Sequence, residues 1–409
     1  MSANLPVFDP AVAAFRVAPY PIFARLRTEN PVHWSDAVRG FVVTRYADVQ
    51  RAMRDPALSA DRISPFYIAQ SAATRSAVET LVRYLGRWLV FRDPPDHTRL
   101  RSLIARAFTP KALAAIRPNI EGITGHLLAR LDGRENCDLM ADFATLLPAY
   151  VIMDMLGVPR DMLPEMKSWS DDIKLFIGTA QSTPDKYARA HRGVSGMAAA
   201  FRALIDDHRS APRADVLSAL IAARDDDSGR LDDDELIATA ILFLFAGHET
   251  TASLIAMGSM ALLDNPLQKH LLLDQPALAA SAVEECLRFD GPTPAMVRIA
   301  TENLVMGGQA IKSGDRVIAL LGSANRDPAV FEAPDRFDIT RSPNPHVTFG
   351  YGIHFCLGAP LARLEAQIAL PLLHSRFPAM ARAGGDIAWS DGMTLRGPLA
   401  LPVRLGAAA

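Results

Sequence analysis

Of the three cysteines in this 409-residue chain, Cys356 has the most unusual surroundings: HVTFGYGIHFCLGAP at 346–360. Gly350, Gly352 and Gly358 flank it, His354 stands two residues before it, and an apolar helical pattern follows. A structural thiol, a nucleophile and a metal ligand are the three chemistries such a cysteine can serve. An isolated cysteine is most often a small buried hydrophobe. Here the glycines permit close backbone approach to whatever the sulfur holds. Free amides at the start of the next helix would stabilise a thiolate. A nucleophile needs a base with an orienting partner, yet His354 is the only nearby base and no carboxylate accompanies it. A thiolate bound to haem iron accounts for more: Phe349, Phe355 and Leu357 offer an apolar shelf for the macrocycle, and backbone amides moderate the sulfur.

Two further groups of residues point to chemistry or to its support. AGHETT at 246–251 is a polar island between LFLF and ASLIAM. Polar groups inside an apolar helix cost stability unless they are hydrogen-bonded. In EECLR at 284–288, Glu285 and Arg288 are three apart and share one helix face. Such a pair is usually a surface salt bridge of little worth.

The elements that must position these residues are mostly helical. Helical spacing or start signals predict helices at 19–30, 46–55, 93–108, 111–131, 141–156, 162–178, 183–208 and 214–224. The stretch 232–265 predicts one very long helix, acidic at its start and apolar nearly all round in its middle, hence a core helix carrying the polar island. Another covers 276–290, and one follows Cys356. Residues 33–46 predict two short strands around an Arg-Gly turn, 57–90 an irregular stretch, and 292–345 a small antiparallel sheet. The last 30 residues suggest short strands. The expected fold is mainly α with a minor β region (α+β), in a single domain over 1–409 with a short tail at about 1–18.

Composition removes several function classes. A formal net charge of −2 carries no nucleic-acid signature. Cys137, Cys286 and Cys356 are too scattered for a disulfide framework, and no CxxC suggests zinc. No basic n-region with an apolar run opens the chain, and no stretch reaches the roughly 20 uninterrupted apolar residues of a membrane span. The expectation is a cytoplasmic protein without a membrane anchor.

FGYGIHFCLG at 349–358 resembles the cysteine-ligand loop of the cytochrome P450 family, F-G-x-G-x-H/R-x-C-x-G, at every fixed position. The resemblance extends from about residue 19 to the end. It implies haem b as cofactor, with Cys356 as iron ligand and Phe349 and Gly358 in its cradle. It also implies that the long helix crosses the haem, with Ala246 and Gly247 beside it. Glu249 and Thr250 then match the family's acid-alcohol pair, which relays protons to dioxygen; Thr251 is a less apt stand-in for Thr250, and His248 a surface or linking residue. Gly247 and the Thr hydroxyl would loosen the helix there. His97, Arg101, Arg298 and His354 match positions that contact haem propionates. Glu285 and Arg288 match the E-x-x-R pair, with Arg336 of APDRF as the second arginine of a buried network.

The same resemblance implies an oxygen- and NAD(P)H-dependent monooxygenase that hydroxylates an apolar small molecule. No reductase module is encoded, so electrons would come from a separate ferredoxin with its reductase. Arg99, Arg106, Lys111 and Arg363 are candidate cations for docking it. Pocket walls implied by the family are Leu242, Phe245, Ala246, Pro294, Ala295, Val297, Thr394 and Leu395, together with the 62–90 segment and the helices around 165–190. Arg75, Arg83 and Arg87 are candidate carboxylate anchors. Fatty acid, terpenoid, steroid, aromatic and polyketide substrates all suit such walls. The rival readings are a peroxide-driven haem-thiolate peroxygenase and a non-catalytic haem ligand-binding protein; the acid-alcohol pair argues against both. A monomer is expected.

Overall fold

The computed structural model describes residues 5–105, 109–180, 183–225 and 231–406. Its axis is the helix Asp233–Asp264. Asp232 starts it with a capping box: its carboxylate accepts from the Glu235 amide at 2.6 Å, and the Glu235 carboxylate accepts from the Asp232 amide at 3.0 Å. Asp233, Asp234 and Glu235 lie at the positive end of the helix dipole. Pro266 cannot continue the turn, and the helix stops at Asp264. Between these ends nearly every side chain is buried. Each fully buried Leu, Ile or Phe contributes about 1.5–3 kcal/mol, so the helix lies inside the protein by necessity. Its most apolar stretch would satisfy the length and hydropathy of a membrane span, yet 83% of that stretch is buried within the fold.

Around this axis pack Leu146–Met155, Lys186–Ser210, Ala279–Phe289 and Ala359–Arg376. Helix Leu163–Ile177 lies along Lys186–Ser210. A five-stranded sheet sits to one side, ordered Val32–Ser35, Gly40–Val43, Arg316–Ala319, Met296–Ala300 and Leu58–Ser59. Gly40–Val43 runs parallel to Arg316–Ala319, with Val42 opposite Ile318; the other pairs are antiparallel. Three of the sheet's strands therefore come from the first 60 residues, a long-range pairing that local alternation does not disclose. The expected sheet at 292–345 is half present. Its strands end at Ala319, and beyond the short helix Leu321–Ala324 the chain runs in turns up to the cysteine loop.

Two sequence expectations are corrected. The stretch 57–90 holds helices at Ile63–Ile68, Ala72–Ala77 and Glu79–Leu85. They are too short to display a period, and packing of Ile63, Leu81, Leu85 and Trp88 in the core stabilises them. The expected tail, from residue 5 on, is also part of the body: Phe8 is buried, 5.0 Å from the Phe15 ring centroid and 6.5 Å from that of Phe23.

Candidate functional site

A large apolar cavity lies between the long helix and the cysteine loop. Its empty space, the solvent-facing mouth included, is about 1220 Å³. One wall is Leu242, Phe243, Ala246, Gly247, Thr250 and Thr251; the opposite wall is Phe349, Phe355, Cys356, Leu357 and Gly358.

The loop's backbone explains its glycines. Gly350 and Gly352 have φ of +75° and +73°, a region that side chains disfavour. They fold the chain so that the Phe349 carbonyl accepts from the Cys356 amide at 2.9 Å. Burial pushes the Cys356 thiol up, while backbone N–H groups of Gly358 and Ala359 aimed at the sulfur pull it back. Both amides belong to the start of Ala359–Arg376. Behind the loop, Arg363 lies 4.6 Å over the Phe349 ring and pairs with both oxygens of Glu284 at 2.7 Å. Glu284 is buried in part, which raises its pKa, but His346 and Arg363 outweigh this and bring it down to about 2.

One end of the cavity is polar. His97 and His354 lie 4.4 Å apart between ring centroids. Both ring nitrogens of buried His97 lack a well-formed hydrogen bond, although the Ile353 backbone is near. Burial, then Arg298 and His97, push His354 down to about 3. Arg298 is buried on its strand; its guanidinium donates to the Val297 carbonyl at 3.1 Å, and desolvation lowers it to about 10. Arg101 donates to the Phe355 carbonyl at 2.9 Å. Asp93 is the carboxylate in this field, and it already accepts from Ser59 and from the Ala60 amide. A plate-shaped group with two carboxylates would satisfy this end, and a thiolate-bound metal the centre. The residues present therefore fit a haem, held by Cys356 below and by His97, Arg101, Arg298 and His354 at its edge.

On the opposite wall, the Thr250 hydroxyl donates to the Ala246 carbonyl at 3.0 Å. The competition with backbone bonding is present, but the helix runs unbroken through Gly247. Gly247 answers a different need: a Cβ there would meet Ile152 at 2.9 Å. The Glu249 carboxylate makes no hydrogen bond to the Thr250 hydroxyl, which is taken by Ala246. Lys174 contacts its Oε2 at 2.6 Å and the His248 Nε2 lies 3.2 Å from its Oε1. Burial raises the Glu249 pKa, but Lys174 and His248 outweigh it and hold the carboxyl well below the usual range. His248 is buried, so its reading as a surface residue is overturned. A small void beside this group is lined by Lys174, Glu249, Thr250, Ser253, Pro292, Leu395 and Arg396.

The Glu285–Arg288 pair is fully buried and bidentate, both bonds 2.7 Å. Arg288 also donates to the carbonyls of Asn325, Pro334 and Arg336 at 2.7–3.1 Å. The second arginine is Arg341, whose Nε approaches both Glu285 oxygens at 3.2 and 3.3 Å. Arg336 contributes its backbone; its guanidinium is exposed and pairs with Asp338. The correction has a steric reason: the chain turns after Pro334, so the Arg336 carbonyl faces inward and its side chain outward. Thr348 ties this network to the cysteine loop, donating to the Leu287 carbonyl at 2.6 Å and accepting from Asn325 at 2.7 Å.

Several expected wall and surface residues stand elsewhere. Phe245 packs 5.5 Å from Trp88 in the core, because a helix turns 100° per residue and Phe243 takes the cavity side. Thr293 and Met296 line the cavity, whereas Pro294 and Ala295 border a separate small void under Phe8 and Phe23. Val297 packs with the sheet-side core. Thr394 donates to the Ile177 carbonyl at 2.9 Å. Leu395 lines the void beside Glu249 rather than the main cavity. Arg99 pairs with Glu235, and Arg363 with Glu284, so neither is a free docking cation. Arg106 and the Lys111 side chain lie outside the described residues. Arg83 and Arg87 pair with Asp234, and Arg75 caps the carbonyls of Ile68 and Gln70, so none is a carboxylate anchor. Sequence reasoning missed Lys174, Arg341, Phe243 and Asp93. Only the Phe243 side could have been found, from the helical period; the others meet their partners across long separations.

The Cytochrome P450 family model matches residues 58–274 and 272–391. The chain is 41% identical to Cytochrome P450 107B1 of Saccharopolyspora erythraea, over 99% of this chain and 98% of that one. It is 37% identical to 6-deoxyerythronolide B hydroxylase of the same organism, over 96% and 97%. Among solved structures, P450BioI in complex with hexadec-9Z-enoic acid ligated acyl carrier protein superposes with a TM-score of 0.87 at 34% identity, covering 95% of this chain and 98% of that one. With a match of this extent, and a cavity built between a cysteine loop and a long polar-centred helix, the chain belongs to the cytochrome P450 family and is a haem-thiolate monooxygenase.

Proposed function

We propose that this chain, as a single domain over 1–409, hydroxylates an apolar small molecule with dioxygen and electrons from NAD(P)H. A separate ferredoxin and reductase deliver the electrons, and the protein works as a cytoplasmic monomer. The observation that carries the reading is Cys356, with two backbone N–H groups aimed at its sulfur, facing Ala246 and Thr250 across one apolar cavity. Haem b is the proposed cofactor; when bound, its iron supplies binding and activation of dioxygen for insertion of one oxygen atom. Cys356 ligates it, Phe349 packs beside the thiolate loop, and His97, Arg101, Arg298 and His354 hold the carboxylate edge. Substrate packs against Leu242, Phe243, Ala246, Thr293 and Met296, a wall with few polar groups, and so binds by burial of apolar surface. Thr250 and Glu249 manage protons on the substrate side.

The test is spectroscopic. Reduced protein under carbon monoxide is expected to show the red-shifted Soret band of thiolate ligation, and Cys356→Ala to lose it. A histidine-type band, or no bound haem, would sink the reading. In turn, Thr250→Ala should lower product formed per NADH consumed, whereas unchanged coupling would remove Thr250 from proton handling. Names among the relatives include 6-deoxyerythronolide B hydroxylase, a polyketide biosynthesis cytochrome P450 and an enzyme in complex with an acyl carrier protein. Spin-state titrations with free fatty acids, acyl carriers and macrolides would decide among these substrate classes.

A further inference from the structure

Glu249 is hard to use as a proton donor as it stands. Lys174 occupies one of its oxygens at 2.6 Å, and the carboxyl is ionised. It receives no hydrogen bond from the Thr250 hydroxyl, which is committed to Ala246. What distinguishes its surroundings is the other oxygen.

His248 Nδ1 lies 2.7 Å from the Leu244 carbonyl. A carbonyl only accepts, so Nδ1 keeps its hydrogen and the other ring nitrogen is the one left to change its protonation. That nitrogen, Nε2, faces Glu249 Oε1 at 3.2 Å, ion-pair distance without the alignment of a formed hydrogen bond. With no proton between them, two lone pairs would face each other in a buried place, which is costly. The geometry therefore calls for one proton shared by the pair, either as imidazolium and carboxylate or as imidazole and carboxylic acid. The ring is 5% exposed at its side chain, so this proton is sheltered from bulk water.

We propose that His248 is the proton store for Glu249 in the monooxygenase reaction, a positioning residue that acts through the carboxylate. This rests on the function proposed above. In the transfer, the Nε2–H bond breaks and an Oε1–H bond forms; the ring becomes neutral and Glu249 becomes a neutral acid, able to donate into the small void it shares with Thr250. A solvent proton entering past half-buried Lys174 restores the imidazolium. An imidazole can gain or release a proton at Nε2 while Nδ1 keeps its own. The other charged groups around the pair are Lys174, with Asp171 behind it, on helix Leu163–Ile177, and Arg396, which is engaged by Asp290 at 3.1 Å. Asp154, on the helix that packs Ile152 against Gly247, is held by Arg160 and Asn119.

The test uses the haem-loaded protein in its ferrous carbon-monoxide form with nitrogen-15 histidine. Nuclear magnetic resonance of the wild type should show Nδ1 protonated throughout and Nε2 exchanging its proton with Glu249 and solvent over the pH range in which the protein stays folded. In Glu249→Gln the Nε2 proton should be held less tightly than in the wild type, since a facing anion favours the charged ring. An Nε2 that keeps one state across this range in the wild type would overturn the proposal, whatever the variants do. The second arm is His248→Gln, whose amide can still bond Glu249 but holds no titratable proton. With an unchanged carbon-monoxide spectrum, its product per NADH should drop by about tenfold and lose its dependence on pH. A variant with the wild-type pH profile would show that His248 is merely structural. Failure of the proposed function would appear separately, as loss of the thiolate Soret band in the wild type.

Discussion

The protein buries two glutamates beside cations, and they are built differently. Glu285 is fully enclosed and saturated: Arg288 takes both oxygens, and Arg341, Asn344 and the Asp338 amide add further bonds. Glu249 has one tight partner in Lys174 and one loose one in His248, and it borders a void. Both carboxylates escape the cost of burial through cations. The saturated site has no room for a proton to move, whereas the under-bonded one keeps an acceptor nitrogen within reach. Rigidity beneath the cysteine loop and the proposed proton store beside the long helix thus come from the same residue types, separated by the number of donors.

Removing one partner from each site is the strongest way to break this contrast. Glu285→Ala strands Arg288 in the core and should cost about 3–5 kcal/mol, or prevent accumulation of folded, haem-loaded protein. Thermal unfolding with a carbon-monoxide spectrum measures it; a shift below about 1 kcal/mol would mean the network is dispensable.

Lys174→Met should cost less, because Glu249 keeps His248 beside its other oxygen. Its effect belongs to pH. In the wild type the Glu249 carboxyl is depressed, so its contribution to stability is present above the ordinary carboxylate range and lost only in strong acid. Without Lys174, burial would raise it, and stability should then fall as pH rises above the ordinary carboxylate range. Unfolding midpoints at pH 5, 7 and 9 would test this, and a flat difference between variant and wild type would refute it.

Glu284 gives an intermediate case, partly exposed and bonded to His346 and Arg363. Its pKa drops from the ordinary 4.5 to about 2, so its stabilisation is complete above about pH 5 and fades as pH falls towards 2. Glu284→Gln should flatten that acid limb, by about 1–2 kcal/mol after allowance for solvent screening.

The smallest effects separate the two arginines near Glu285. Arg341→Ala should cost about 1–3 kcal/mol through loss of a charge-assisted contact, whereas Arg336→Ala should stay within about 0.5 kcal/mol because its side chain is exposed. Equal losses would return Arg336 to the network.

Local chemistry was legible from the chain alone. The glycine spacing around Cys356, the polar island of the long helix and the three-residue step from Glu285 to Arg288 are all contained in single segments. A helix or a tight loop has a fixed geometry, so spacing translates directly into which groups share a face. The apolar period of 232–265 likewise marked the core helix with its ends within one residue.

What only the tertiary structure decided are the partners. Lys174 reaches Glu249 from another helix, Arg341 displaces Arg336, and Glu235 and Glu284 neutralise arginines that looked free for docking. The choice of Phe243 over Phe245 as cavity wall depends on how the whole helix is rotated against its neighbours. Such pairings follow from packing many faces at once. A charge in a sequence has many candidate counter-charges, and only the folded chain brings one of them to within 3 Å.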